Sequence, residues 1–107
     1  MSANLFMTLR RPIYGQSQLV AYTGTAGTIA NGLPAGTASV AVLCTTAAYV
    51  KVGVSPTATT ADFSVPANTL VLLPVEMESI TGGSGLIKVS AVQVAAGGNL
   101  TVMPLAD

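Results

Sequence analysis

The residue types that most often carry out chemistry are scarce in this sequence. Its 107 residues include no histidine and a single cysteine, Cys44, which excludes imidazole-based zinc sites, Ser-His or Cys-His nucleophile pairs and an intrachain disulfide. Glu76 and Glu78 form a local acidic pair, and in a strand they would share one face, where two carboxylates can perform acid–base or metal chemistry. No other polar residue converges on them in the sequence, so we interpret the pair as a solvated strand edge. The sequence predicts a protein that is not an enzyme and that uses no metal and no cofactor.

A second group of candidate residues precedes the first clear strand. Residues 1–17 contain Pro12 and Gly15 and show weak periodicity, which predicts an extended arm. The arm is too apolar for a free tail, so we expect it to lie along a surface of its own domain or of a neighbouring chain. Its two arginines are too few for a nucleic-acid patch; they pair with acidic groups of a partner or are ordinary solvated charges. The candidate partner-binding residues are Leu5, Phe6, Leu9, Arg10, Arg11 and Tyr14.

The clearest structural signal runs from Val40 to Val54, with the sequence VAVLCTTAAYVKVGV. Apolar and β-branched residues alternate here at a period of two, which is typical of half-buried strands. The break at Thr45-Thr46 predicts a tight turn, so we expect a hairpin at the centre of the fold. Its phase places Val50 and Val52 in the core and Lys51 in solvent.

Further strands are predicted on both sides of this segment. Turn signals recur about every ten residues, and no segment predicts a helix longer than a turn or two. The nearly continuous apolar run Thr69–Val75 predicts a strand buried on both sides, and a shift of phase at Ala91-Val92 predicts a β-bulge. Phe63 and Val65 are expected to cover the open end of a sandwich. The other predicted strands are Gln18–Thr23, Thr28-Ile29, Leu86–Ala95 and Leu100–Pro104.

Together these patterns predict an all-β fold, a small jelly-roll-like β-sandwich over residues 18–107 that is preceded by an extended N-terminal arm over residues 1–17. Only 7% of the residues are charged and the net charge is zero, whereas soluble domains carry roughly 25% charged residues. Either uncharged polar side chains keep a neutral surface soluble, or identical subunits or a larger assembly cover much of the surface. The rarity of large apolar patches on monomers favours the second interpretation. We therefore expect a homo-oligomer.

The sequence also indicates where the protein is made. Arg10 and Arg11 follow the apolar segment Leu5–Leu9 instead of preceding it, which is not the pattern of a signal peptide. No run approaches the ~18 apolar residues that a membrane-spanning helix needs. We expect synthesis in a cytoplasm and no membrane partner.

The segments AYVKVGVSPTATTADFSVPANTLVLLPV and IKVSAVQVAAGGNLTV, within Ser39–Met103, resemble small virion proteins of tailed bacteriophages. In those proteins a Y-V-[RK]-[VI]-G strand leads to a P-x-A-T loop, and a strand of the type G-G/T-L-x-V-T/M ends the chain. The resemblance implies a small β-sandwich, often trimeric, that decorates or cements the head by binding the major capsid protein or other virion proteins. It implies a virion location, and the small number of basic residues separately predicts no nucleic-acid partner. The alternative is a tail or fibre-associated module that contacts the host surface.

Overall fold

Nine strands account for the regular structure of the described part of the chain. The computed structural model describes residues 11–75 and 87–106, and within these ranges helices are absent. The strands are β1 (Arg11–Pro12), β2 (Gln18–Tyr22), β3 (Gly27–Thr28), β4 (Thr37–Cys44), β5 (Ala48–Val54), β6 (Phe63–Val65), β7 (Val71–Pro74), β8 (Ile87–Gln93) and β9 (Gly98–Ala106).

The strands form two antiparallel sheets that pack face to face. The first sheet has the order β2-β9-β4-β7, with β1 also paired to β9, and the second has the order β3-β8-β5-β6. Apart from the two-residue β1, each sheet has four strands, and their order is that of an eight-stranded jelly roll. The predicted all-β sandwich is therefore confirmed.

The core lies between the two sheets and is built from small apolar side chains. Val40, Val42 and Cys44 of β4 are fully buried, and Val50 of β5 faces them from the second sheet. Lys51 is exposed, and Val52 packs partly buried against the core. The phase predicted for this segment is thus confirmed.

The predicted central hairpin is wrong. β4 pairs with β9 and β7 in the first sheet, whereas β5 pairs with β8 and β6 in the second. The turn at residues 45–47 therefore crosses from one layer of the sandwich to the other. Alternation specifies which side chains face the core, and two strands from opposite sheets that face one core have the same pattern as a hairpin.

Two details of the later strands also differ from the prediction. β7 is an edge strand whose outward side chain Leu72 is 58% exposed, so this segment is buried on one side only. Phe63 lies on the edge strand β6, paired with β5 and 54% exposed, and it does not cover the end of the sandwich, although Val65 is buried. A continuous apolar run shows that both faces of a strand are apolar, but it does not indicate which of these faces is covered by the same chain.

The bulge predicted at Ala91-Val92 is absent, because the register of β8 with β5 is continuous there. β8 is instead buried on both faces, since the loop after β5 lies over its outer side and the Ala58 N–H donates to the Ser90 hydroxyl at 3.0 Å. An irregularity does occur in β4, where the register with β9 shifts between Thr37 and Ser39.

The end of the predicted arm belongs to the first sheet. Arg11 and Pro12 pair with β9, and the Ile13 N–H donates to the Pro104 carbonyl at 2.9 Å. A proline is tolerated here because β1 is at the edge of the sheet. Residues 1–10, and with them Leu5, Phe6, Leu9 and Arg10, lie outside the described residues, as does the Glu76/Glu78 pair. A helix with the length and apolarity to cross a membrane is not found in the described ranges.

Candidate interaction surface

Charged residues are distributed unequally over the two sheets. Within residues 11–75 and 87–106 the charged side chains are Arg11, Lys51, Asp62 and Lys88. Lys51 and Lys88 alternate with inward-facing neighbours on β5 and β8, so both project from the outer face of the second sheet. Asp62 lies in the loop after β5, where its carboxylate accepts the Thr59 N–H at 2.7 Å. Arg11, at the end of β1, is the one described charge associated with the first sheet.

The outer face of the first sheet is apolar instead. Residues that pair across neighbouring strands share a face, and the buried residues of β4 show that the intervening Ala41 and Leu43 point outward. Their register partners Met103 and Thr101 on β9 point the same way. At the two edges of the sheet, Leu19 on β2 and Leu72 on β7 pair with members of this group and also point outward. We call this surface the apolar face; it consists of Leu19, Ala41, Leu43, Leu72, Thr101 and Met103.

The two large side chains at the edges of the apolar face are its most solvent-exposed residues. Leu19 on β2 is 68% exposed and Leu72 on β7 is 58% exposed, and the residues between them are partly buried. With strands about 4.8 Å apart, the face covers roughly 300 Å² in projection. This is comparable to the largest patch of a typical monomer, and such patches are often functional.

The local sequence explains why this face forms. From Val40 to Cys44 of β4, the inward and the outward positions are both apolar. The outer face of a sandwich normally carries polar residues that alternate with the core positions. In a two-layer fold a strand that is apolar on both faces buries only one of them in the core. Its other apolar face is not covered by a second sheet of the same chain.

One corner of the same outer side is already covered. Ser39 and Leu105 are register partners there, next to Pro12 of β1, and they are only 7% and 8% exposed. The Ser39 hydroxyl is buried and has no hydrogen-bond partner among the described residues. A buried hydroxyl without a partner is costly, and because this oxygen is closed off from solvent, an outside molecule does not reach it in this structure.

The predicted partner-binding residues that the structure describes lie at this same end of the first sheet. Arg11 is exposed on β1, and Tyr14, at 81% exposure, follows it in the turn before β2. With Pro12, Ile13 and Ala106 they line an open cleft of about 460 Å³. Arg11 and Tyr14 stay predicted partner-binding residues. The apolar face beside them is not among the residues predicted from the sequence, and its signal is that both faces of β4 are apolar.

Cys44 is buried in the core, and side chains that could bind a metal are sparse in the described part of the chain. No group of three or more potential metal ligands occurs within the described ranges. Burial raises the pKa of the Cys44 thiol, and a hydrogen bond with Tyr22 acts in the opposite direction. A buried, protonated thiol is a poor nucleophile, so Cys44 behaves as a small core side chain.

Comparison with known protein families, with curated protein sequences and with solved structures gives no significant match to this chain. The resemblance to phage virion proteins therefore stays a prediction.

Proposed function

We propose that this protein is a structural subunit of a bacteriophage particle, a head decoration or cement protein that binds the capsid surface as a homo-oligomer, most simply a trimer. Its mechanism is mechanical, since it bridges neighbouring capsid subunits and adds buried area to each. No substrate, cofactor or metal takes part in this role.

The observation that carries the proposal is the contrast between the two outer faces. The outer face of the second sheet presents Lys51 and Lys88, whereas the apolar face of the first sheet presents Leu19 and Leu72 and no charge among the described residues. Fully buried cores of protein interfaces are depleted in charged residues. A subunit of a permanent assembly needs one charge-depleted surface that contacts its neighbours and one polar surface that faces solvent.

The resemblance stated from the sequence supplies the kind of particle. Decoration proteins act through contact area, and stable interfaces bury about 1,200–2,000 Å² in total. The apolar face and the end of the sheet at Arg11 and Tyr14 offer two adjoining regions for such contacts.

The alternative function, a tail or fibre module that binds a host carbohydrate, is less well supported. Binding sites for small ligands bring apolar and aromatic side chains together with a few polar groups. The strongly exposed aromatic side chains in the described ranges are Tyr14 and Phe63. They belong to different sheets, Tyr14 beside β1 and Phe63 on β6, and do not form one platform.

The test is quantitative mass spectrometry of purified phage particles, with heads and tails separated before the analysis. A decoration protein should be found with the heads at a copy number in simple proportion to the major capsid protein. Recovery with tails at a few copies per particle would support the alternative. Absence from washed particles would refute both virion functions.

A further inference from the structure

We propose that Asn31-Gly32 is a site of spontaneous covalent modification, at which Asn31 loses ammonia from its side chain and becomes aspartate or isoaspartate. Water is the co-reactant. The chemistry belongs to one loop of the folded chain, so it does not depend on the assembly in which the protein takes part.

Asn31 lies in the loop that follows β3 and is held there through its main chain. The Asn31 N–H donates to the Gln18 side-chain oxygen at 3.0 Å, and the Gln18 side-chain nitrogen donates to the Asn31 carbonyl at 2.9 Å. We call this pair of hydrogen bonds the Gln18 clasp. Asn31 is exposed, and its side-chain amide and the Gly32 N–H have no hydrogen-bond partner among the described residues. The two groups that react are therefore adjacent in the chain and not held by other contacts.

The reaction begins when the Gly32 nitrogen attacks Cγ of Asn31. A bond forms between these two atoms and the bond from Cγ to Nδ2 breaks, so Nδ2 leaves as ammonia with the proton of the Gly32 N–H. The product is a five-membered imide, which water opens at either carbonyl. Opening at Cγ restores the ordinary peptide bond and leaves aspartate, whereas opening at the main-chain carbonyl leaves isoaspartate, in which the chain runs through Cγ.

Two features favour ring closure at this position. Glycine has no Cβ, so the side of residue 32 that approaches Cγ of Asn31 is not hindered. The Gln18 side-chain N–H donates to the Asn31 carbonyl, onto which negative charge spreads when the Gly32 N–H loses its proton. A hydrogen bond to the charged form favours that form, so the clasp makes the Gly32 N–H more acidic.

Two other asparagines in the described ranges lack this combination. Asn68 is also exposed, but it precedes the β-branched Thr69. Asn99 lies in β9, where its N–H and its carbonyl are both hydrogen-bonded to Thr45, and it precedes the bulky Leu100. They provide a comparison within the same molecule, because they experience the same solution for the same time.

Conversion of Asn31 changes a contact that joins the two sheets. Gln18 lies on β2 at the edge of the first sheet, whereas the loop is fixed to the second sheet by the Ile29 and Leu33 N–H groups, which donate to carbonyls of β8 at 3.1 and 2.8 Å. Isoaspartate adds one main-chain atom between these two anchors and turns the carbonyl that Gln18 holds into a branch off the chain. It should therefore loosen the Gln18 clasp, whereas aspartate leaves the main chain as it is.

The experiment is prolonged incubation of the full chain in warm, mildly alkaline buffer, followed by ion exchange and by peptide mapping with mass spectrometry. Conversion at Asn31 should be about tenfold or more faster than at Asn68 and Asn99, equivalent to about 1.4 kcal/mol in the barrier. Each converted molecule gains one negative charge on a chain of formal net charge zero, so ion exchange separates it. Conversion at Asn31 no faster than at the other two asparagines would overturn the proposal.

Variants test the two residues that react. Gly32→Ala should slow the conversion, because a methyl group then flanks the attacking nitrogen. Asn31→Gln is the matched control, since it keeps an amide side chain and the main-chain atoms of the Gln18 clasp but cannot close a five-membered ring. Circular dichroism checks folding, and Asn31→Gln still decides the question if Gly32→Ala fails to fold. Formation of the acidic species from Asn31→Gln at the wild-type rate would contradict the assignment.

A further variant tests the Gln18 clasp. Gln18→Glu keeps the acceptor for the Asn31 N–H and removes the donor to the Asn31 carbonyl. It should convert more slowly than wild type when folded and at the wild-type rate in urea, where the contact is absent. Equal rates in the folded state would show that the clasp has no part in the reaction. The isoaspartate fraction should also melt below Asn31→Asp, and equal melting temperatures would contradict the expected loosening.

Discussion

Replacement of Tyr22 by phenylalanine tests the hydrogen bonds that join β2 of the first sheet to the turn between β4 and β5. The Tyr22 side chain is only 2% exposed, and its hydroxyl reaches from β2 to the crossing between β4 and β5. It donates to the Thr46 carbonyl at 2.5 Å and accepts the Thr46 N–H at 3.2 Å. The Thr46 hydroxyl in turn donates to the Ala96 carbonyl at 2.9 Å, which ties the loop before β9 to the same point.

The expected loss follows from these contacts. Tyr22→Phe keeps the ring in place and removes one oxygen atom, so it leaves a main-chain donor and a main-chain acceptor of Thr46 without this partner. An unsatisfied buried group costs about 1–3 kcal/mol, and Thr46 is partly accessible to water, so we expect a loss of about 1–2 kcal/mol in the free energy of unfolding. In a domain of this size each kcal/mol corresponds to a fall of about 4–8 °C in Tm.

The assay is urea denaturation of wild type and variant at one protein concentration, because association would make the midpoint depend on concentration. Tyr14→Phe is the matched control, since Tyr14 is 81% exposed and its hydroxyl removal should change stability by less than about 0.5 kcal/mol. Equal losses from the two substitutions would refute the reasoning, and so would an unchanged midpoint for Tyr22→Phe.

Two further outcomes are expected. Val50→Asp places a carboxylate in the core and should cost several kcal/mol out of a total of ~5–15, whereas Lys51→Ala should cost less than about 0.5 kcal/mol; similar urea midpoints would contradict the assigned phase of β5. Because burial raises the pKa of Cys44, the unfolded state loses this proton first as the pH rises past the ordinary value of 9.0, so stability should fall there. Thiol titration should accordingly be slow in the folded protein and complete in denaturant; fast labelling of the native protein would show that the thiol is accessible.

The sequence was sufficient to locate most strands and the inward phase of β4 and β5. Alternation at a period of two is a local property, and it fixed Val50 inward and Lys51 outward. It does not assign partners, so the pattern of two strands from opposite sheets predicts a hairpin that the structure does not contain. Pairing is decided by which distant strands complete each layer, here β9 beside β4 and β8 beside β5.

The apolar face was missed for a related reason. The run that ends in β7 was expected to be buried on both sides by its own chain, because apolar residues occupy both alternate sets. In the structure, the side chain of Leu72 is exposed to solvent on the outer face of β7. Composition records how much apolar surface a strand carries, but burial by the same chain and burial by a second copy give the same sequence pattern.

The position of β9 has a consequence for the time at which the first sheet can form. β9 is the last described strand, yet it lies inside the first sheet and pairs with β1, β2 and β4. The contacts that fasten the crossing also span long stretches of chain; for example, the Asn99 N–H donates to the Thr45 hydroxyl 54 residues earlier. Contacts so distant in sequence form late. During translation β4 and β7 can pair earlier, but β2 has no neighbour in the first sheet until β9 has left the ribosome, so the sheet and its apolar face are completed only at that point.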